Sequence, residues 1–99
     1  MLFHAQIVVH FPPTIDPGLQ ADLVAREVER GVELMQAGKL VHIWRIVGKT
    51  ANYSIWKVDS HAELHALLTS LPLFPYLEMT LTPLSEHPVA LRAATTKGE

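Results

Sequence analysis

The chain has no cysteine. Disulfides, thiolate nucleophiles and thiolate metal sites are thereby excluded, and a reducing compartment is compatible. It has no uninterrupted apolar run long enough to span a bilayer, so no membrane association is expected. The start, Met1-Leu2-Phe3-His4-Ala5-Gln6, lacks the basic segment and apolar run of a secretory signal, and the expected location is the cytoplasm. Neither charge sign dominates: 8 Lys+Arg stand against 10 Asp+Glu, a net charge of −2. A nucleic-acid partner normally demands a clear basic face, so none is expected. The glycine pattern of dinucleotide sites and the phosphate-binding loop are both missing, which argues against a nucleotide cofactor. There is no Gly-x-Ser-x-Gly elbow for a serine nucleophile. No internal repeat or low-complexity block is visible.

What remains is a chain of 99 residues, 48% apolar and 18% charged. That composition suits one folded domain. A chain of this size should bury roughly 65% of the surface it exposes when unfolded, enough for one modest core.

Residues 2–11 alternate, with Phe3, Ala5, Ile7, Val9 and Phe11 in one row and Leu2, His4, Gln6, Val8 and His10 in a more polar one. This is a strand with two different faces, ended by Pro12-Pro13. Asp16 as N-cap and Pro17 at the first helical position start a helix expected over 17–37, with Gly38 as its stop. At about 100° per residue, Val24, Glu27, Val28, Gly31, Leu34 and Met35 share one side. Residues 40–47 and 51–58 form two further strands, and the short Gly48-Lys49-Thr50 connection makes them an antiparallel hairpin. Asp59 or Ser60 caps a second helix over 61–70, with Leu64, Leu67, Leu68 and Leu71 inward. Two prolines keep 71–76 irregular, and 77–84 reads as a fourth strand. The order β-α-β-β-α-β favours a ferredoxin-like α+β domain, an antiparallel sheet with two helices on one face. The domain is expected over 1–88. Residues 89–99 read as a polar tail, irregular at its end, either flexible or an arm against a neighbouring subunit. The uncovered sheet face should carry Trp44 or Trp56, depending on register, and predicts self-association.

Glu27 is the most informative residue. A carboxylate on the buried side of a helix is costly unless paired or protonated, and burial raises its pKa toward the range of acid–base catalysis. Gly31, one turn on, leaves room for a ligand beside it. The plainer account is an ion pair with Arg30, Arg45 or a neighbouring subunit. His61 and His65 have the four-residue spacing of a two-histidine metal pair, but Glu63 is misplaced for the metalloprotease motif and no third ligand is evident. No metal is expected. Arg45 on its strand is a candidate to hold a substrate carboxylate, or else pairs with Glu27 or Glu78. Asn52 and Ser54 are neutral donors able to stabilise an enolate oxygen, or simply interface hydrogen-bonding groups.

Six strings occur together: Met1-Leu2-Phe3-His4, Asp16-Pro17, Trp44-Arg45-Ile46, Ala51-Asn52-Tyr53-Ser54, Leu71-Pro72-Leu73-Phe74-Pro75-Tyr76 and His87-Pro88. Their order and spacing resemble muconolactone Δ-isomerase from Met1 to about Pro88. The resemblance implies a ferredoxin-like fold assembled from dimers into a homodecamer. It implies no cofactor, and a place in the catechol branch of the β-ketoadipate pathway of aromatic catabolism. The implied reaction shifts the ring double bond of muconolactone to give 3-oxoadipate enol-lactone. The family's acid–base glutamate falls on Glu27. The expected mechanism is a one-base proton shuttle. Asn52, with Ser54 or Tyr53, would bind the lactone oxygen. Arg45 would hold the carboxymethyl group, with His4 or Lys49 as weaker choices, and Trp44 and Phe74 would form apolar walls. The chain departs from the resemblance at Lys49-Thr50, where His-Tyr is expected. A chloro- or methyl-muconolactone, or a related dehalogenation, therefore stays open. So do a non-catalytic ferredoxin-like binding or oligomerisation module and a cofactor-free oxygenase.

Overall fold

The alternating row Phe3, Ala5, Ile7 is the spine of the core. In the computed structural model, which describes residues 1–98 with side chains through Thr95, these residues lie on β1 (Leu2–Val9) and are buried. The elements follow as α1 (Pro17–Gln36), β2 (Leu40–Arg45), β3 (Ala51–Lys57), α2 (His61–Thr69), a 3-10 turn (Phe74–Tyr76), β4 (Leu77–Leu84) and α3 (Pro88–Gly98). The four strands form one sheet in the order β2-β3-β1-β4, every pair antiparallel. This is the expected ferredoxin-like α+β arrangement.

Local chemistry sets the boundaries. The Asp16 carboxylate accepts from the Leu19 N–H at 2.9 Å, and Pro17 opens the helix with its fixed φ. Gly38 takes φ +75°, a left-handed conformation in which a side chain would be strained, and the chain turns into β2. Gly48 does the same in the hairpin at φ +80°. Ser60 caps α2 through the Glu63 N–H at 3.0 Å. The core beneath the helices gathers Leu34 of α1, Leu40 of β2, Trp56 of β3 and Leu64, Leu68 and Leu71 around the β1 row. Each large apolar side chain buried there contributes about 1.5–3 kcal/mol.

Parity sorts the two tryptophans. Trp56 pairs across from Phe3 and is fully buried, whereas Trp44 pairs across from Tyr53 on the uncovered face and is 55% exposed. The uncovered face carries His4 against Tyr53, ring centroids 5.0 Å apart, and His42 stacked on Trp44 at 5.1 Å.

The end of the chain differs from expectation. Residues 88–98 are helical rather than irregular. Pro88 suits a helix start, and the His87 Nδ1 accepts from the Val89 N–H at 3.0 Å. This helix follows β4 at the end of the chain with Val89 69% exposed, and the chain is 56 × 30 × 21 Å in extent. Glu99, the last residue of the expected tail, lies outside the described residues.

Candidate active site

One side of α1 faces the sheet across a gap. Helical periodicity brings Val24, Glu27, Val28, Gly31 and Met35 to that side, where they wall a cavity of about 450 Å³. The volume is in the range of small-molecule sites. The floor comes from the sheet. Asn52 stands directly across from Ile7 on β1 and from Arg45 on β2, so the three form one row. Ser54 occupies the next row and Trp56 the one beyond, with Ala51 and Thr50 at the hairpin end. Leu71 and Leu73 close a further side.

Glu27 is half-buried in this mostly apolar wall. Its Oε1 accepts from the Leu73 N–H at 3.0 Å. Burial pushes the carboxyl pKa above its ordinary value, and the Leu73 bond opposes part of that rise. No cation neutralises it among the described residues. Arg30 instead engages Ser70, at 3.0 and 3.1 Å, and Glu33. The carboxyl is thus anchored by one oxygen, while the other has no protein partner among the described residues. Such a group resists ionisation more than a free carboxyl does and so holds its proton more readily.

Asn52 Oδ1 is buried without a hydrogen-bond partner. A buried polar orphan of this kind costs free energy. Beneath it Ser54 is 0% exposed, and its Oγ accepts from Trp56 Nε1 at 2.8 Å. Ser54, expected as a hydrogen-bond donor to the substrate, lies on the cavity floor, buried and tied to Trp56. Arg45 is exposed at the rim and makes no ion pair among the described residues, although Glu27 and Glu78 were both candidate partners. Glu78 pairs with His10 at 2.8 Å.

Glu27, Arg45, Asn52 and Ser54 are therefore brought together. Trp44, Tyr53 and His4 are not. Successive residues of a strand point to opposite faces, so Arg45 inward sends Trp44 outward, and Asn52 and Ser54 inward send Tyr53 outward. All three lie on the far side of the sheet from this cavity. Phe74 opens the 3-10 turn, is exposed, and leaves the apolar wall to Leu71 and Leu73. Thr50, not Lys49, reaches the cavity. The Leu73 amide was not foreseen. Its only sequence signal is that an irregular Pro-x-x-Pro segment leaves backbone N–H groups uncommitted to a helix. His61 packs edge-on against Phe3 at 5.6 Å. No cluster of three or more His, Asp or Glu side chains able to hold a metal is present among the described residues.

Fold and site define a small ferredoxin-like α+β enzyme whose apolar cleft holds one perturbed carboxylate. A sequence model of the muconolactone delta-isomerase family matches residues 1–90. The muconolactone delta-isomerase 1 of Acinetobacter lwoffii is 46% identical, over 93% of this chain and 96% of its own. The muconolactone delta-isomerase of Cupriavidus pinatubonensis is 42% identical over 93% of this chain and its whole length. A crystal structure of muconolactone isomerase superposes with a TM-score of 0.85 at 42% identity, covering 89% of this chain and 92% of that one. The chain belongs to the muconolactone delta-isomerase family.

Proposed function

We propose that the protein converts muconolactone to 3-oxoadipate enol-lactone by moving a ring proton, without metal or organic cofactor. The observation that carries this reading is Glu27, half-buried in an apolar cleft, held by one oxygen and paired with no cation among the described residues. Ionised Glu27 removes the proton from the ring carbon that bears the carboxymethyl arm. The electron pair moves through the ring double bond into the lactone carbonyl as a dienolate. Protonated Glu27 then returns the proton to the carbon next to that carbonyl, and the double bond has shifted by one position. A single carboxyl serves both steps because the two carbons lie on one face of a five-membered ring. The Asn52 amide NH₂, on the cavity floor, donates to the dienolate oxygen. Arg45 at the rim pairs with the carboxymethyl carboxylate. Ser54 and Trp56 build the floor that positions Asn52.

The non-catalytic module would allow Glu27 to sit in open solvent or in an ion pair with no cavity, whereas it is half-buried beside a cavity and makes no ion pair among the described residues. We propose further that the chain works as a homo-oligomer built from dimers, in line with a decamer. The support is an uncovered sheet face with exposed aromatics and a last helix with exposed Val89 and Leu91. No helix among the described residues is long and apolar enough to cross a membrane, and cytoplasmic action fits that. The testing experiment is an ultraviolet assay of muconolactone consumption with chelator present, in which rapid conversion is expected. Absence of conversion, or its loss to the chelator, would reject the assignment.

A further inference from the structure

Gly31 stands in the interior of α1, one turn after Glu27 and one turn before Met35, on the stripe that walls the cavity. Glycine is a poor helix residue and is normally kept where the backbone needs a positive φ or another group approaches closely. Neither applies. Among the described residues the positive-φ glycines are Gly38 and Gly48, and a Cβ built at Gly31 meets nothing within 4 Å. What the missing side chain leaves is volume inside the cavity, beside the Glu27 carboxyl. Its surroundings, Val28, Val32 and Met35, are apolar. The anionic arm of the substrate does not suit such a place, and Arg45 is the group suited to that arm.

We infer that Gly31 is a specificity-determining residue whose open space receives an alkyl substituent on the lactone ring, so that ring-methylated muconolactones are substrates. The inference rests on the isomerase reading and narrows its substrate class. A methyl group on either ring vinyl carbon leaves the migrating proton in place, so the same proton shift operates without any change in its balance.

The test compares wild type, Gly31→Ala and Gly31→Val on muconolactone and on analogues methylated at each vinyl carbon in turn. The readout is the ratio of kcat/KM for the methylated over the unsubstituted lactone. Wild type should convert at least one methylated lactone. In Gly31→Ala that ratio should fall tenfold or more, and further in Gly31→Val, since one methyl in an apolar pocket discriminates at this level. Melting curves should show Gly31→Ala at least as stable as wild type, which separates a filled pocket from a damaged fold. A ratio unchanged in both variants would overturn the inference. So would a wild type that converts only the unsubstituted lactone, and that result would leave the isomerase assignment standing. Conversion of no lactone at all would remove both.

Discussion

Glu27 and Leu73, 46 residues apart, are joined by one hydrogen bond of 3.0 Å from the backbone N–H of Leu73 to Oε1 of Glu27. It ties the middle of α1 to the irregular segment between α2 and β4. The bond favours the ionised carboxyl, while burial favours the neutral one, and burial has the larger effect. A carboxyl balanced in this way is fixed in position yet ready to exchange its proton.

Replacing Glu27 with Gln separates these two properties. The amide oxygen of Gln can still accept from Leu73, so the fold should persist. The base is lost. Turnover of muconolactone should fall by about 10²–10⁴-fold, the usual contribution of a positioned acid–base group. Circular dichroism should match wild type. A Glu27→Gln protein with wild-type kcat would show that another group moves the proton.

The same variant should be more stable than wild type at neutral pH. The folded-state pKa of Glu27 lies above its ordinary value of 4.5, so the folded state binds more protons across the interval between the two. Stability from this group is therefore present below 4.5 and lost as pH rises through the raised value. Above that raised value the wild type must bear an ionised, half-buried carboxylate, and Gln carries no such charge. Glu63 has the opposite sign. The Asp59 N–H and Lys39 hold its pKa down, so its contribution is lost as pH falls below 4.5. Glu63 is common to both proteins and cancels in the comparison. The melting-temperature advantage of Glu27→Gln should thus shrink as pH approaches 4.5, and an advantage constant with pH would argue against titration as its origin.

Much of this was legible in the residues because two periodicities dominate. Alternation over residues 2–9 separated the buried row of β1 from the exposed one, and the helical stripe placed Glu27 and Gly31 on the cavity side. Relative register between strands was not legible, since backbone pairing leaves no mark in a single sequence. The row Ile7, Asn52, Arg45 emerged only from the folded sheet. The alternation itself already forbade Arg45 and Trp44 from sharing a cavity. The Leu73 amide has no side-chain signature, whereas α3 carries one, Pro88 at the helix start followed by the good helix formers Ala90, Leu91, Arg92, Ala93 and Ala94.

The floor of the cavity should be coupled energetically. Trp56 Nε1 donates to Ser54 Oγ at 2.8 Å in a fully buried pair. Ser54→Ala leaves the indole N–H unsatisfied and should cost about 1–3 kcal/mol in chemical denaturation. Adding Trp56→Phe removes the orphaned donor, and part of that loss should return. A double variant whose loss equals the sum of the two single losses would mean that the bond contributes nothing to stability.

Arg45 supplies the test of substrate orientation. It sits at the rim of the cavity, across the strand from Asn52, with no ion pair among the described residues. If it binds the carboxymethyl group, Arg45→Gln loses a charge-assisted contact worth roughly 1.5–3 kcal/mol, and KM should rise about tenfold or more. The chemical step lies at the ring, away from this group, so kcat should change less than KM. Added salt should raise the wild-type KM and leave that of Arg45→Gln nearly unchanged, because only the wild type depends on a screened charge pair. The methyl ester of muconolactone, which has no anionic arm, should be handled alike by both proteins. An equal loss on the acid and its ester would place Arg45 in the architecture of the hairpin rather than against the substrate.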